Sequence, residues 1–320
     1  MTDPNTVPSE ADWESAPSLV DGAMELQLTA ETCDLQYWLR SVPQGTLRGQ
    51  VLGHAEDSRP LSVVAEPGPL NSALTQELAF RSIAEEKATR AISYLVALAP
   101  DNPSLEFYAT QLLDEARHAM VFRSHLLELG IGAADLWPSI ERLAGEDSRR
   151  ILVPLEEFGL RALRDQRDFI GGVVILTVLV EGVLAPSAEL SERKWRVLDP
   201  GASEVERGAG IDEIRHLTVG SSIAREYLLA HPEEKPRILE LIQEGYALWE
   251  KLPSNELVLR REELFQQGLE QHAGLVGDYE IWPGRRLVDT TAQERAETAH
   301  EWSTRMQRTR MVYMGLEEAL

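Results

Sequence analysis

Two short segments of the chain combine acidic, basic and imidazole side chains in the same order. Residues 114–118 read DEARH and residues 212–216 read DEIRH, so four of the five positions agree. A glutamate and a histidine three residues apart lie one above the other on the same face of a helix. Carboxylate oxygen and imidazole nitrogen together suit iron or manganese. The two segments therefore predict a metal site to which two helices contribute. Its candidate ligands are Glu115, His118, Glu213 and His216.

A third Glu-x-x-His combination lies near the C-terminus, at Glu297 and His300. In a glutamate-rich chain with seven histidines, about one such match is expected by chance. This copy lacks the preceding aspartate and lies in a polar segment, so we interpret it as a solvated surface pair. The two longer copies carry more weight, because each follows an apolar segment that contains a glutamate. If their agreement were accidental, the chain would be a helical interaction module without a metal.

A long apolar segment supplies the next candidate ligand. Residues 169–186 read FIGGVVILTVLVEGVLAP, a length near the lower limit for a membrane span. Glu181 is the only acidic residue in this segment, and an ionised carboxylate in hydrocarbon is costly. The same carboxylate inside a helical bundle can bind a metal. We therefore predict a buried core helix with Glu181 as a ligand, and no membrane span.

The helix before the first motif offers two adjacent acids, Glu85 and Glu86. At 100° per residue, an apolar stripe runs along this helix from Ala84 to Leu95. Glu85 borders the stripe, whereas Glu86 points away from it and can pair with Arg90. We predict Glu85 as the ligand and keep Glu86 as the alternative.

These residues complete a set of six, in which four carboxylates balance two divalent ions. Metal-bound imidazoles usually donate their second N–H to a carboxylate. We expect this contact to cross between the helices, from His216 to Asp114 and from His118 to Asp212. Arg117 and Arg215 would pair with carboxylates in turn. The predicted metal ligands are Glu85, Glu115, His118, Glu181, Glu213 and His216.

The site requires four helices that bring these side chains to one level. Prolines, glycines and capping residues divide the sequence into such helices. The first is expected to be capped by Asn71 or Ser72. Short connections within each pair and a longer crossover between the pairs match an antiparallel bundle of two hairpins. The predicted bundle helices cover residues 71–98, 104–129, 155–198 and 203–229.

Segments on both sides of the bundle are also predicted to be helical, and the fold class is all-α. We expect an N-terminal extension over residues 1–70, the bundle over 71–230, and C-terminal helices packed on the bundle over 231–320. Residues 274–288 are predicted to form a loop, and no strand pair is expected. The additional helices are predicted at residues 29–40, 236–251, 256–271 and 291–318.

Composition excludes several classes of function. The net charge of −22 argues against binding of nucleic acid or anionic membranes. Cys33 is the only cysteine, so neither an intramolecular disulfide nor a cysteine-based metal site can form. The acidic N-terminus lacks the pattern of a signal peptide. We therefore expect a cytoplasmic protein, and a homodimer is the default assembly.

Over residues 72–230 the chain resembles the non-haem diiron carboxylate oxygenases and oxidases of the ferritin-like superfamily. The resemblance depends on Glu85, Glu181 and the two DE-x-RH motifs. It implies a ferritin-like four-helix bundle that binds two iron ions, or manganese in place of iron. It also implies that reduced iron reacts with dioxygen as co-substrate to oxidise a small organic molecule. A separate reductase or ferredoxin would supply electrons.

Several branches of this superfamily are possible. The sequence has Phe122 where the small subunit of ribonucleotide reductase carries a radical tyrosine. It has Ala209 where arylamine N-oxygenases carry a seventh ligand, and Ala185 where multicomponent monooxygenases carry a threonine. Desaturases acting on acyl carrier proteins and non-catalytic metal storage remain alternatives. The branch of antibiotic biosynthesis that we favour converts amines or hydrazines to azoxy compounds, as in the valanimycin pathway. We expect its substrate beside residues 208–210.

Overall fold

The architecture is described by a computed structural model that covers residues 7–45 and 51–320. Residues 1–6 and 46–50 of the predicted N-terminal extension lie outside this range. The helices in chain order are α1 (Leu35–Gly45), α2 (Ser62–Ala65), α3 (Pro69–Leu98), α4 (Asn102–Glu128), α5 (Leu136–Asp147), α6 (Val153–Leu160), α7 (Phe169–Val174), α8 (Gly182–Trp195), α9 (Pro200–Ala230), α10 (Lys235–Trp249), α11 (Ser254–Val276) and α12 (Ala292–Met314). Strands β1 (Glu280–Trp282) and β2 (Arg285–Arg286) follow α11.

Four long segments form the central bundle: α3, α4, the α7–α8 segment and α9. Local sequence signals explain where two of these helices begin. Asp101 caps α4 by accepting a hydrogen bond of 2.9 Å from the Ser104 backbone N–H. Asp199 caps α9 in the same way, at 3.0 Å from the Ala202 N–H, and a proline follows each cap. The predicted all-α bundle with additional N- and C-terminal helices is therefore confirmed.

The first bundle helix begins earlier than predicted. Its N-cap is Gly68 and its first residue is Pro69, whose fixed φ suits that position. Asn71 does not cap the helix; its side-chain amide donates to the backbone carbonyls of Val64 and Leu129, at 2.9 and 3.3 Å. Asn71 thereby ties the start of α3 to the preceding helix α2 and to the end of α4.

The prediction of one continuous helix over residues 155–198 was wrong. The chain leaves the helix at residues 166–168, where Arg167 has a φ of 54°. Asp168 then caps α7 by accepting a hydrogen bond of 2.9 Å from the Gly171 N–H. The break escaped prediction because no proline or glycine marks it.

A π-helical turn, Ile175–Glu181, joins α7 to α8 and ends at a predicted ligand. The Gly182 N–H donates a hydrogen bond to the Thr177 carbonyl, five residues earlier instead of the four residues of an α-helix. Turns of this type often occur at functional sites. The segment Phe169–Trp195 is apolar and long enough to span a membrane, but 83% of its most apolar window is buried inside the protein. This burial fits the predicted core helix.

A small hairpin replaces part of the predicted loop, so the expectation that no strands would form was also wrong. Strand β1 pairs antiparallel with β2. The turn between them contains Gly284 at a φ of 76°, a conformation that glycine adopts readily. Its N–H donates to the Glu280 carboxylate at 3.0 Å, which stabilises the turn. The strands are too short to show a period-2 pattern in the sequence.

The N- and C-terminal segments share hydrophobic clusters with the bundle. Trp13 and Leu19 pack with Ile214 of α9, and Met306 of α12 belongs to the same cluster. Phe265 of α11 lies in the cluster that contains the first half of α3. Helices α11 and α12 therefore cover the bundle, while the boundaries predicted at residues 70 and 230 stay predictions.

Close approach between α9 and the π-helical turn requires a glycine. A Cβ atom on Gly220 would lie 2.2 Å from Thr177 Oγ1, whereas one on Gly210 of the same helix would meet nothing within 4 Å. We expect Gly220→Ala to lower the free energy of unfolding by about 1–3 kcal/mol, because of overpacking. Gly210→Ala should raise it by about 0.5–1 kcal/mol, because alanine favours helix. Urea denaturation of both variants tests this, and equal shifts in the same direction would contradict the packing.

Candidate metal centre

The six side chains predicted as ligands meet inside the bundle. They form two overlapping groups, and within each group one donor atom per residue lies within 4.8 Å of the others. One group is Glu85, Glu115 and His118, and the other is Glu115, Glu181, Glu213 and His216. Glu115 belongs to both groups. A carboxylate in this position can bridge two ions.

Both histidines direct the same ring nitrogen towards this shared carboxylate. His118 Nδ1 lies 2.9 Å from Glu115 Oε2, and His216 Nδ1 lies 3.1 Å from Glu115 Oε1. The Nε2 atom of each ring faces away from the cluster. The Nδ1 atoms are therefore the nitrogens available to an ion between the carboxylates.

The predicted crossed contacts between helices α4 and α9 are present. His118 Nε2 lies 3.1 Å from Asp212 Oδ2, and His216 Nε2 lies 3.3 Å from Asp114 Oδ2. If the histidines are neutral, an Nε2–H donating to aspartate leaves a lone pair on Nδ1. The geometry thus selects the tautomer that a ligand needs.

Two arginines complete this crossed arrangement, as the motifs predicted. Arg117 pairs with Asp212, and Arg215 pairs with Asp114. Although burial opposes it, the charge of Arg117 and the hydrogen bond with His118 hold the pKa of Asp212 below its ordinary value. Both aspartates are therefore compensated by arginine, and the glutamates of the cluster are not.

The structure also separates the two adjacent acids of α3. Glu86 Oε1 lies 2.8 Å from Arg90 Nη2; the Arg90 side chain is largely exposed and that of Glu86 is partly exposed. Glu85 instead lies with Glu115 and His118. The helical periodicity therefore identified the inward-facing acid.

The donor set fits a pair of divalent cations. Within the described part of the chain, Glu181 Oε2 and Glu213 Oε2 are buried without a hydrogen-bond partner. Burial and the neighbouring Glu115 raise the pKa of Glu85, while burial and Glu213 raise the pKa of Glu181. Burying this many carboxylates together is costly unless cations compensate them.

Two further residues of the site were not predicted. Gln111 Nε2 donates to Glu181 Oε1 at 2.5 Å. Gln111 lies four residues before Glu115 on the same helix face, so the spacing contained this signal. Trp38 of α1 donates from Nε1 to Asp114 Oδ1 at 2.9 Å. No local spacing links Trp38 to the bundle motifs, because its contact depends on how the N-terminal segment packs.

A cavity of about 990 Å³ adjoins the cluster and has largely apolar walls. Glu85, Glu115, Glu181 and Glu213 are among its lining residues. The space expected for a substrate beside residues 208–210 is divided between two pockets. Ala209 lines the large cavity, whereas Gly210 lines a small separate pocket against Pro17 and Leu19. The N-terminal segment covers this side of α9, and the large cavity is lined mainly by α3, α8, α11 and α12.

Another part of the same cavity is lined by paired charges. Lys194 Nζ lies 3.3 Å from Glu77 Oε2 and 2.6 Å from Glu262 Oε1. Arg81 pairs with Glu77 and lies 2.9 Å from Glu206 Oε1. Burial raises the pKa of Glu206 to about 7 against the opposing charge of Arg81. Here the protein supplies its own cations.

No model of a known protein family matches the sequence. Among solved structures, the chain is similar to an R2-like ligand-binding oxidase variant with an aerobically reconstituted Fe/Fe cofactor. The TM-score is 0.57 and the identity 18%, over 80% of this chain and 85% of that chain. It is also similar to a variant of such an oxidase with an anaerobically reconstituted Mn/Fe cofactor, with a TM-score of 0.54 and 15% identity over 91% and 92% of the two chains. The likeness confirms the predicted ferritin-like fold.

The raised pKa of Glu206 predicts a pH dependence of stability. Its folded-state value of about 7 exceeds the ordinary value of 4.5. The stabilisation from this proton is therefore complete below pH 4.5 and is lost as the pH rises through 7. Glu206→Gln mimics the protonated form, and we expect it to gain about 3 kcal/mol relative to the original chain between pH 4.5 and 8. Urea denaturation across this range, with Glu86→Gln as the control, checks it; parallel curves for Glu206→Gln and the original chain would contradict the assignment.

Proposed function

We propose that the chain binds two iron ions, or manganese and iron, and uses dioxygen to oxidise a small organic molecule. The observation that carries the proposal is the convergence of six metal-binding side chains beside a large apolar cavity. Glu115 belongs to both donor groups, and the other five residues divide between the two groups. The proposed ligands are Glu85, Glu115, His118, Glu181, Glu213 and His216.

The roles of the neighbouring residues follow from their contacts. Asp114 and Asp212 would hold the Nε2 protons of His216 and His118, so that both Nδ1 atoms face the ions. Partners of this kind usually contribute about 10–100-fold to metal affinity. Gln111 would orient the Glu181 carboxylate through its amide hydrogen bond.

Bound iron supplies the redox reactivity towards dioxygen, and the protein supplies position and environment. The apolar walls of the cavity would exclude water from the reacting group of a substrate beside Glu85 and Glu213. A separate reductase or ferredoxin would deliver the electrons, and the acidic surface would suit a basic region on such a partner. A cytoplasmic location and a homodimer remain part of the proposal.

The structural neighbours support an oxidase in preference to a metal store. Their names describe ligand-binding oxidases with Fe/Fe or Mn/Fe cofactors. A cavity of about 990 Å³ next to the candidate ligands offers room for an organic molecule, which storage does not require. Desaturation of an acyl chain fits the apolar walls and is the second candidate reaction.

For the substrate we propose N-oxygenation in specialised metabolism, from an amine or hydrazine to an azoxy compound. The support is the resemblance of the motifs and the largely apolar cavity beside the candidate ligands. Incubation of iron-loaded protein with a reductant, dioxygen and alkylamines or alkylhydrazines, followed by mass spectrometry, tests this choice. Products with added oxygen on nitrogen are expected, whereas olefinic products from acyl thioesters would favour the desaturase.

The metal site itself is tested by metal content. Protein loaded with Fe²⁺ and desalted should retain about two irons per chain. Glu85→Ala and His216→Ala should each retain one or fewer, because each removes a ligand from a buried pair. Glu86→Ala is the matched control and should retain two, since Glu86 pairs outside with Arg90.

The same preparations test the reaction with dioxygen. Reduced, iron-loaded protein mixed with oxygen in a stopped-flow instrument should show a transient visible absorption, and His216→Ala should not. Loss of iron in Glu86→Ala but not in Glu85→Ala would overturn the ligand assignment. Protein that holds two irons without an oxygen-dependent spectral change would overturn the oxidase proposal.

A further inference from the structure

Arg261 of α11 is a buried cation that takes no part in the ion pairs of the described residues around the cavity. Its side chain is 9% exposed, and its Nε and Nη2 atoms have no hydrogen-bond partner among the described residues. The guanidinium lies over the Phe80 ring, 4.6 Å from its centroid. A buried arginine without a carboxylate partner is unusual, because desolvation of the charge is not offset.

The acids nearby are already engaged by other cations. Glu77 contacts Arg81 and Lys194, and Glu262 contacts Lys194 and Arg295. Glu206 lies against Arg81. Asp147 also lies near Arg261, but it pairs with Arg260. Among the described cations of this region, Arg261 is therefore the one without an ion pair.

Arg261 also lines the cavity that contains the candidate metal ligands. Phe80, on which it stacks, lies five residues before Glu85 on α3, which corresponds to about 8 Å along the helix axis. Burial lowers the pKa of Arg261 to about 10, so its guanidinium stays charged at neutral pH. A planar guanidinium with free N–H groups suits bidentate binding of a carboxylate.

We propose that Arg261 binds the carboxylate of the organic substrate. The apolar part of that molecule would extend along the cavity and present an amine, hydrazine or C–H group to the metal pair. This inference rests on the proposed function for the identity of the reacting end, whereas the binding step can be measured without any reaction.

The test is a comparison of two probes of equal length, decanoate and decan-1-ol, by isothermal titration calorimetry. We expect the original chain to bind decanoate at least tenfold more tightly than decan-1-ol. Arg261→Gln should lose at least tenfold in decanoate affinity and keep its affinity for decan-1-ol. Arg260→Gln is the matched control, because Arg260 is the adjacent residue, is more exposed and pairs with Asp147.

Each outcome bears on one proposal only. Equal affinity for both probes in the original chain, or an equal loss in Arg260→Gln, would overturn the carboxylate site. Iron content and the oxygen-dependent absorption should be unchanged in Arg260→Gln; their absence from the original chain would overturn the proposed function and leave the binding result standing. The thermal unfolding midpoint of Arg261→Gln should equal or exceed that of the original chain, because the substitution removes an unpaired buried charge.

A second cluster of possible metal ligands lies outside the site described so far. One donor atom each from His54, His125 and Glu128 lies within 4.8 Å of the others. Both histidines are fully buried. Two imidazoles and one carboxylate form a ligand set that divalent transition metals accept.

Each histidine has one ring nitrogen engaged by an acceptor outside the cluster. His54 Nδ1 lies 2.7 Å from the Ala55 carbonyl, and its Nε2 lies 2.9 Å from Glu128 Oε1. His125 Nε2 lies 2.8 Å from Asp199 Oδ2, while its Nδ1 is buried without a partner among the described residues. Donation from Nδ1 of His54 and from Nε2 of His125 would leave the other nitrogen of each ring free to bind an ion.

The segment that carries His54 is fitted closely to the bundle. Gly53 has a φ of 80°, and a Cβ atom there would lie 3.0 Å from Val121 of α4. The Glu204 carboxylate of α9 accepts hydrogen bonds from the Ala55 N–H at 2.8 Å and from the Ser58 hydroxyl at 2.7 Å. His54 is therefore held against α4 by contacts that do not involve its ring.

From this independent observation we propose a mononuclear Zn²⁺ site formed by His54, His125 and Glu128. Zinc ligands at about 2.1 Å in tetrahedral geometry lie about 3.4 Å apart. The three donors already lie within 4.8 Å of one another, and His54 Nε2 and Glu128 Oε1, at 2.9 Å, would separate slightly on binding. The ion would join the segment before α2 to the end of α4. Its role would be structural, because it lies outside the cluster that holds the candidate dimetal ligands.

Iron-loaded protein incubated with Zn²⁺ and desalted should retain about one zinc per chain, without loss of iron. His54→Gln and Glu128→Gln should retain none, and the exposed His231→Gln should match the original chain. Zn²⁺ should also raise the thermal unfolding midpoint of the original chain and leave that of His54→Gln unchanged. If the cluster consists only of His–Glu and His–Asp hydrogen bonds, the original chain will retain no zinc, and that result would overturn this proposal.

Discussion

The burial of Glu115, Glu181 and Glu213 beside the partly buried Glu85, at one level of a helical bundle, is the constraint on which the site depends. Two aspartates lie at the same level, but Arg117 and Arg215 compensate them. With both imidazoles neutral, the remaining charge is that of four carboxylates, which two divalent ions would balance. Among the described residues, no side chain donates a hydrogen bond to Glu181 Oε2 or Glu213 Oε2. An ion-pair network made from the chain alone would not leave this imbalance.

The crossed contacts between α4 and α9 give the two helices a common register. Asp114 of α4 reaches His216 of α9, and Asp212 of α9 reaches His118 of α4. A shift of either helix by one turn, about 5.4 Å, would break both contacts and both arginine pairs together. The repeated motif therefore specifies alignment of the helices as well as the ligands, and each of its four shared positions takes part in one of these contacts or in the ligand set.

The sequence predicted the parts of the site that depend on helical periodicity. Spacing placed Glu115 with His118, and periodicity separated Glu85 from Glu86. It did not predict the break before α7, because Arg167 adopts a positive φ that no glycine or proline announces. It also did not predict Trp38, whose contact with Asp114 joins segments 76 residues apart. Long-range packing determines both features, and no short pattern encodes them.

Buried carboxylates beside the cavity are compensated in two different ways. Near Glu77 and Glu262 the buried acids are neutralised by Lys194, Arg81 and Arg295, which the protein provides. About two helical turns further along α3, around Glu85, the nearby Arg117 and Arg215 are already paired with aspartates. The first region has one cation in excess, Arg261, whereas the carboxylates in excess in the second region would be balanced by the two divalent ions. An elongated molecule with an anionic end would fit this polarity in one orientation only, with its anion at Arg261 and its opposite end at the metal pair. The unequal distribution of buried charge would thus determine which end of a substrate meets the reactive centre.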